Sequence, residues 1–195
     1  KLNLNDKNQY RCIQTICQWE EQAYGKGLHR QPEDLMRCCQ KNGSGFVVLQ
    51  GAGVLLGYVD VWQLTPDFYE RLKVGVIDEE SIHERDILSP TDTVTGLWYI
   101  GSMIVSPTLR QEQPNKAAMV FAKLCGALPD IFKNHGPFPA RLLGVGSSQF
   151  GCKLMKKWGF AAVAADEQAI DLRPRMEKIM LTQEDANIFD LGRKT

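Results

Sequence analysis

The sequence predicts a mixed α/β fold: a central, mostly antiparallel sheet flanked by helices. Three observations predict it. Leu97–Val105 is nearly all apolar or small, the mark of a central strand covered on both faces. Gly45–Gln50 and Val54–Leu64 are extended runs joined at Gly51-Ala52-Gly53, which makes an antiparallel hairpin. After Leu97 the order is strand–helix–strand–helix–strand, which wraps helices around a sheet.

The elements follow in order. Asn8–Tyr24 carries Tyr10, Ile13, Ile16 and Cys17 near helical spacing, and Gly25 and Gly27 stop it. Pro32–Lys41 is a second helix, with Pro32 in its first turn and Glu33 and Asp34 at its positive end. Residues 65–95 form an insertion between strands, rich in charge and broken by Pro66, Gly75 and Pro90. Within it Asp67–Lys73 reads as a short helix and Asp78–Asp86 as a further turn, lying over one face of the sheet. Pro107 stops the Leu97 strand, and Ser106–Asn115 reads as a loop. Pro114 opens a helix to about Lys133, and Ala140–Val145 is the next strand. Gln149–Trp158 is a helix ended by Gly159, Phe160–Ala164 starts a strand, and Glu177–Leu181 is a last strand before a mobile tail.

The length of 195 residues suits one domain, expected to span 1–195. Lys plus Arg balance Asp plus Glu at 23 each, which gives no electrostatic reason to expect a nucleic acid or membrane partner. No apolar run is long enough to span a bilayer, and Lys1–Lys7 lack the apolar core of a signal peptide. The six cysteines form no C-x-x-C pair and no zinc spacing, so free thiols in a reducing cytoplasm are expected, with no metal. A cysteine nucleophile has no His partner that the sequence can supply.

Two stretches could carry chemistry. In Val105-Ser-Pro-Thr-Leu-Arg110-Gln-Glu-Gln113-Pro-Asn115-Lys116 a strand runs through a loop into a helix start, which aims backbone N–H groups at one point and suits phosphate. Gly144-Val-Gly-Ser-Ser148 leads through a short helix to Gly159-Phe160.

Together these resemble the core of the GNAT superfamily of acyl-CoA-dependent N-acyltransferases. In that family a strand ending Val-x-Pro meets an Arg/Gln-x-x-Gly-x-Gly/Ala loop that holds the CoA pyrophosphate, and a later helix ends in Gly-Phe. Val105, Pro107, Arg110 and Gly159-Phe160 match, and the resemblance runs from about Tyr10 to Leu181. It implies acetyl-CoA or another acyl-CoA as co-substrate and a small-molecule or protein amine as acceptor; a homodimer is allowed. It implies Met103, Ile104, Val105, Arg110, Gln111, Gln113, Asn115, Lys116 and Ser148 as cofactor contacts.

The departures are specific. Gln113 and Asn115 stand where the family has glycines, and Pro114 removes a backbone donor. Losing one or two amide contacts at about 1.5–3 kcal/mol each weakens binding by roughly tenfold or more. Met155 stands where many members carry the tyrosine that protonates the leaving thiolate, and Ser148 where they carry an asparagine. Catalytic candidates are therefore His83, Glu84, Tyr99 and Ser148, with Asp60, Glu79, Glu80 and Asp86 as further bases. Two functions stay open: an N-acyltransferase working by direct attack of the amine, or a catalytically impaired domain used for ligand sensing or protein interaction.

Overall fold

Among the described residues six strands form one sheet in the order β1-β2-β3-β4-β6-β5. They are β1 (Phe46–Gly51), β2 (Val54–Gln63), β3 (Leu97–Val105), β4 (Ala140–Val145), β5 (Ala161–Ala162) and β6 (Arg175–Met180). Only β3 and β4 run parallel; the other pairings are antiparallel. This computed structural model describes residues 7–25, 30–93, 95–171 and 173–191. Gly27 and His29 lie outside the described residues.

Each face of the sheet has its own core. Helices α1 (Lys7–Tyr24) and α2 (Pro32–Lys41) cover one face, where Ile13, Ile16 and Leu35 meet Tyr58, Trp62 and Tyr99. The insertion adds to that face. Its helix α3 (Pro66–Val74) buries Phe68, Tyr69 and Leu72, and two 3-10 turns at Glu79–Ser81 and Glu84–Asp86 bring in Ile82 and Ile87. Helices α5 (Pro114–His135) and α6 (Gln149–Lys157) cover the other face, through Val120, Leu124, Leu128 and Met155. Trp98 packs to this second side and Tyr99 to the first, as a strand covered on both faces requires.

Three expectations are corrected. Most of Ser106–Asn115 is not loop: Pro107–Glu112 is a helix, α4, capped by Ser106 Oγ, which accepts the Leu109 N–H at 3.3 Å. The strand expected at Phe160–Ala164 is reduced to the two residues of β5. The segment after Leu181 does not trail away; Gln183–Phe189 is a 3-10 helix that buries Ala186 and Phe189. Phe189 lies 5.0 Å from the Trp158 ring and 5.6 Å from Phe132, so aromatic packing fastens the segment.

Among the described residues the cysteines are free, and burial pushes the Cys17 thiol up to about 12 and Cys38 to about 11, which keeps them as unreactive thiols. No helix among these residues is long and apolar enough to cross a membrane.

Candidate functional site

Strands β3 and β4 pair only from Leu97↔Arg141 to Ile100↔Gly144. Beyond that point they separate, so the backbone of Gly101–Val105 has no partner strand on the β4 side. The carboxyl ends of two diverging parallel strands are where an open α/β sheet offers a crevice. Met103, Ile104 and Val105, expected as cofactor contacts, lie along this free edge.

The same place carries a bulge. Val59 pairs with Met103 and Val61 with Ile100, so Asp60 alone faces both Gly101 and Ser102. Asp60 is fully buried and its carboxylate holds the bulge: Oδ1 accepts the Ser102 N–H at 2.6 Å. Its Oδ2 accepts the Trp62 indole N–H at 2.6 Å and pairs with the Arg30 guanidinium. Glycine is needed at 101 for this close approach, because a Cβ there would lie 2.6 Å from Asp60 Oδ2. Every oxygen of Asp60 is thus engaged, and it is a structural anchor rather than a base.

On the other side of the crevice, α4 and α5 meet at Gln113, whose N–H bonds to the Leu109 carbonyl at 2.9 Å. Pro114 then opens α5 without a donor, and Ala117 N–H bonds back to Gln113 O at 2.9 Å. The first-turn amides available to an anion are those of Asn115 and Lys116. Arg110, Gln111, Gln113, Asn115 and Lys116 are all exposed. These expected contacts are therefore exposed around the α4–α5 junction, which presents a shorter row of amides than a glycine loop would.

Helix α6 closes the crevice. Ser148 caps it, its Oγ accepting the Gly151 N–H at 3.0 Å. Met155 is buried against β4, so close that a Cβ on Gly144 would lie 2.7 Å from its sulfur. A thioether there has no proton to give.

The catalytic candidates do not converge as a group. His83 and Glu84 are exposed and line an outer recess with Asp34, Arg37 and Arg85. Tyr99 points inward and donates its hydroxyl to Glu79 Oε2. It lines a cavity of about 20 Å³ together with Glu20, Tyr24, Arg30, Glu80 and Ser102. Arg173 reaches Glu79 at 2.5 Å and Glu80 at 3.6 Å. Burial pushes the Glu79 and Glu80 carboxyls above the ordinary carboxylate range. Burial alone would lower the Arg30 guanidinium, but Asp60 and Glu20 more than reverse it.

Glu20 and Arg30 are members of this cluster that the sequence reading passed over. Glu20 Oε1 accepts from the Tyr58 hydroxyl at 2.5 Å and the Ser102 hydroxyl at 2.9 Å. One signal was available: Glu20 continues the apolar stripe of Ile13, Ile16 and Cys17 at helical spacing, so a carboxylate had to face the core.

Comparison with known proteins agrees with the geometry. Neither a protein-family model nor a curated protein sequence matches the chain. Solved structures do. One is GphF, a GNAT-like decarboxylase in complex with isobutyryl-CoA, at TM-score 0.54 and 12% identity over 87% of this chain and 95% of that one. Another is PH1933 from Pyrococcus horikoshii OT3, at TM-score 0.53 and 18% identity over 93% of this chain and 97% of that one. At such identities the likeness concerns the backbone, and with the split of β3 and β4 it establishes that the chain has the GNAT fold.

Proposed function

We propose that the protein is an acyl-CoA-dependent acyltransferase, with acetyl-CoA as donor and an amine as acceptor. The observation that carries this reading is the separation of β3 and β4 after Ile100 and Gly144, directly beside the bulge at Gly101–Ser102 and the carboxylate-lined cavity. GphF, a protein of this fold, is described in complex with isobutyryl-CoA, which supports a CoA thioester as the ligand of the crevice.

In this reading the free edge of β3 at Gly101–Val105 lines the thioester and its backbone N–H groups polarise the carbonyl. The amides of Asn115 and Lys116, with the Lys116 and Arg110 side chains, meet the pyrophosphate. The amine nitrogen attacks the carbonyl carbon, the C–S bond breaks, and the electron pair leaves on sulfur, which takes its proton from water because Met155 has none to give. Glu80 receives the amine proton. Among the described residues it has an oxygen without a partner, and burial raises its carboxyl above the ordinary range, whereas Glu79 is engaged by Tyr99 and Arg173. His83 and Glu84 line a different, outer recess and are not assigned this role. Ser148 serves as the cap of α6.

A second reading is favoured by Met155, buried where a proton-donating tyrosine would serve. The domain would then bind a CoA compound without efficient turnover. Calorimetric titration with acetyl-CoA, followed by thiol release in the presence of a panel of amines, tests both. Binding with turnover supports the transferase, binding without turnover the second reading, and no heat at millimolar acetyl-CoA contradicts both.

A further inference from the structure

The cavity beside the bulge contains polar atoms that nothing among the described residues satisfies. Glu20 is 2% exposed and the Arg30 side chain 9%, yet Glu20 Oε2 and Arg30 Nη1 have no hydrogen-bond partner. Glu80 Oε1, in the same lining, has none either. Buried polar atoms without partners cost free energy, so their persistence around one cavity points to a group that visits it. That group must donate to two carboxylate oxygens and accept from one guanidinium N–H.

Water meets the hydrogen-bond requirement, so charge has to decide. Among the described residues Glu20, Asp60, Glu79 and Glu80 bring four carboxylates, and Arg30 and Arg173 bring two guanidinium groups. Asp171 and Arg175, the next pair outward, add one of each sign. With all four carboxylates ionised these described residues carry an excess of negative charge in a largely buried place, and the upward push of burial on the Glu79 and Glu80 carboxyls expresses its cost. A water leaves that excess to be met by protons on Glu79 or Glu80, whereas a cation compensates it directly and keeps both carboxylates ionised. The cavity, at about 20 Å³, has room for a group of water or ammonium size. Among the described residues no cluster has the composition of a metal site. Ser102, whose hydroxyl binds Glu20 at 2.9 Å, is the second residue of the bulge and joins this cavity to the free edge of β3.

We propose that the cavity seats a primary ammonium group of the acceptor, held by Glu20 and Glu80, in a molecule that carries an oxygen acceptor beside the nitrogen for Arg30. The proposal rests on the acyltransferase reading above and narrows its acceptor to amines of the 2-aminocarbonyl or 2-amino alcohol type. An isolated alkylamine, such as the end of a lysine side chain, offers the ammonium but leaves Arg30 Nη1 unpaired.

The test is a titration followed by the amide resonances of Gly101 and Ser102 in the full chain, at constant ionic strength. The probes are glycinamide, ethanolamine, ethylammonium chloride and acetamide. Glycinamide and ethanolamine distinguish a carbonyl from a hydroxyl as the oxygen source. At least one of them is expected to bind roughly tenfold or more tightly than ethylammonium, the worth of one hydrogen bond to a charged group, with acetamide silent. Glu20→Gln should weaken binding of that probe by roughly tenfold or more. Because Glu20 lies deep in the network, Glu80→Gln is measured alongside and should act in the same direction. No ammonium response at millimolar probe, an equal response to acetamide and ethylammonium, or unchanged affinity in a folded variant leaves a bound water as the occupant and overturns the proposal. Acetyl-CoA titrated into the same sample separates the two claims. Acetyl-CoA binding without ammonium binding removes this proposal and spares the transferase reading; ammonium binding alone supports the ammonium site and removes the transferase.

Discussion

Asp60 on β2 holds the bulge of β3 open by accepting the Ser102 backbone N–H at 2.6 Å. The same carboxylate neutralises Arg30, so one residue ties the strand geometry to the charge of the cavity. Asp60→Asn keeps the shape but takes from the buried Arg30 guanidinium its nearest anion, leaving it, among the described residues, only Glu20 at 3.6 Å. It should destabilise the fold by about 3–5 kcal/mol in urea denaturation. A loss below about 1 kcal/mol, the scale of an exposed pair, contradicts this role.

The raised carboxyls make a prediction about pH. Burial is the main cause at both Glu79 and Glu80. Tyr99, Arg173 and Arg30 oppose it at Glu79, where the Glu80 charge adds to it; Arg173 opposes it at Glu80, where Asp78 and Asp171 add to it. A carboxyl whose folded value lies above its unfolded one holds its proton more tightly when folded. Its contribution to stability is present below the ordinary carboxylate value and is lost as pH rises through the raised folded value. Glu80→Gln removes that share. Its stability relative to the parent chain should therefore improve steadily from about pH 4.5 toward neutrality, as urea midpoints would show. A difference that is constant across this window contradicts the assignment.

Lys116 and Arg110 stand exposed around the start of α5 and supply direct charge where Pro114 has removed an amide. Lys116→Ala and Arg110→Ala should each weaken acetyl-CoA binding by roughly three- to tenfold in calorimetry. The effect should shrink with added salt, because exposed charges are screened. Unchanged affinity in both variants would place the pyrophosphate elsewhere.

Phe189 is fully buried among Trp158, Phe132 and Phe160. Phe189→Ala should cost about 3–5 kcal/mol in thermal or urea unfolding. A change within the scatter of surface substitutions, about 0.5 kcal/mol, would mean that the segment contributes no core.

The sheet was legible because its strands are marked locally. Leu97–Val105 and Ala140–Val145 are apolar runs with clear stops, and the structure has them at those bounds. Pro107 was read as a strand stop, which it is, but Ser106-Pro107 is also a cap followed by an N1 proline, and that second meaning hides α4. Phe189 gives no local sign of burial, since its partners lie in α5 and in the turn after α6. The site divides in the same way. The contacts along β3 and α5 follow from one continuous stretch, whereas Glu20 meets Ser102 across 82 positions of sequence and Arg30 meets Asp60 across 30. Long-range ionic pairing of this kind leaves only a trace in the sequence, here a glutamate on an apolar helical stripe. Met155 is readable from its place before Gly159, whereas its burial against β4, so close that Gly144 has no room for a Cβ, is a long-range contact with no local mark.

Hydrogen exchange at the amides of Gly101–Val105, with and without saturating acetyl-CoA, tests the crevice most directly. These residues have no partner strand toward β4, so a thioester lying along them should slow exchange of the amides that face β4, together with those of Asn115 and Lys116; the Ser102 amide, already held by Asp60, is excepted. Exchange unchanged at both places while acetyl-CoA is bound would contradict the assignment of the crevice between β3 and β4 as the acyl-CoA site.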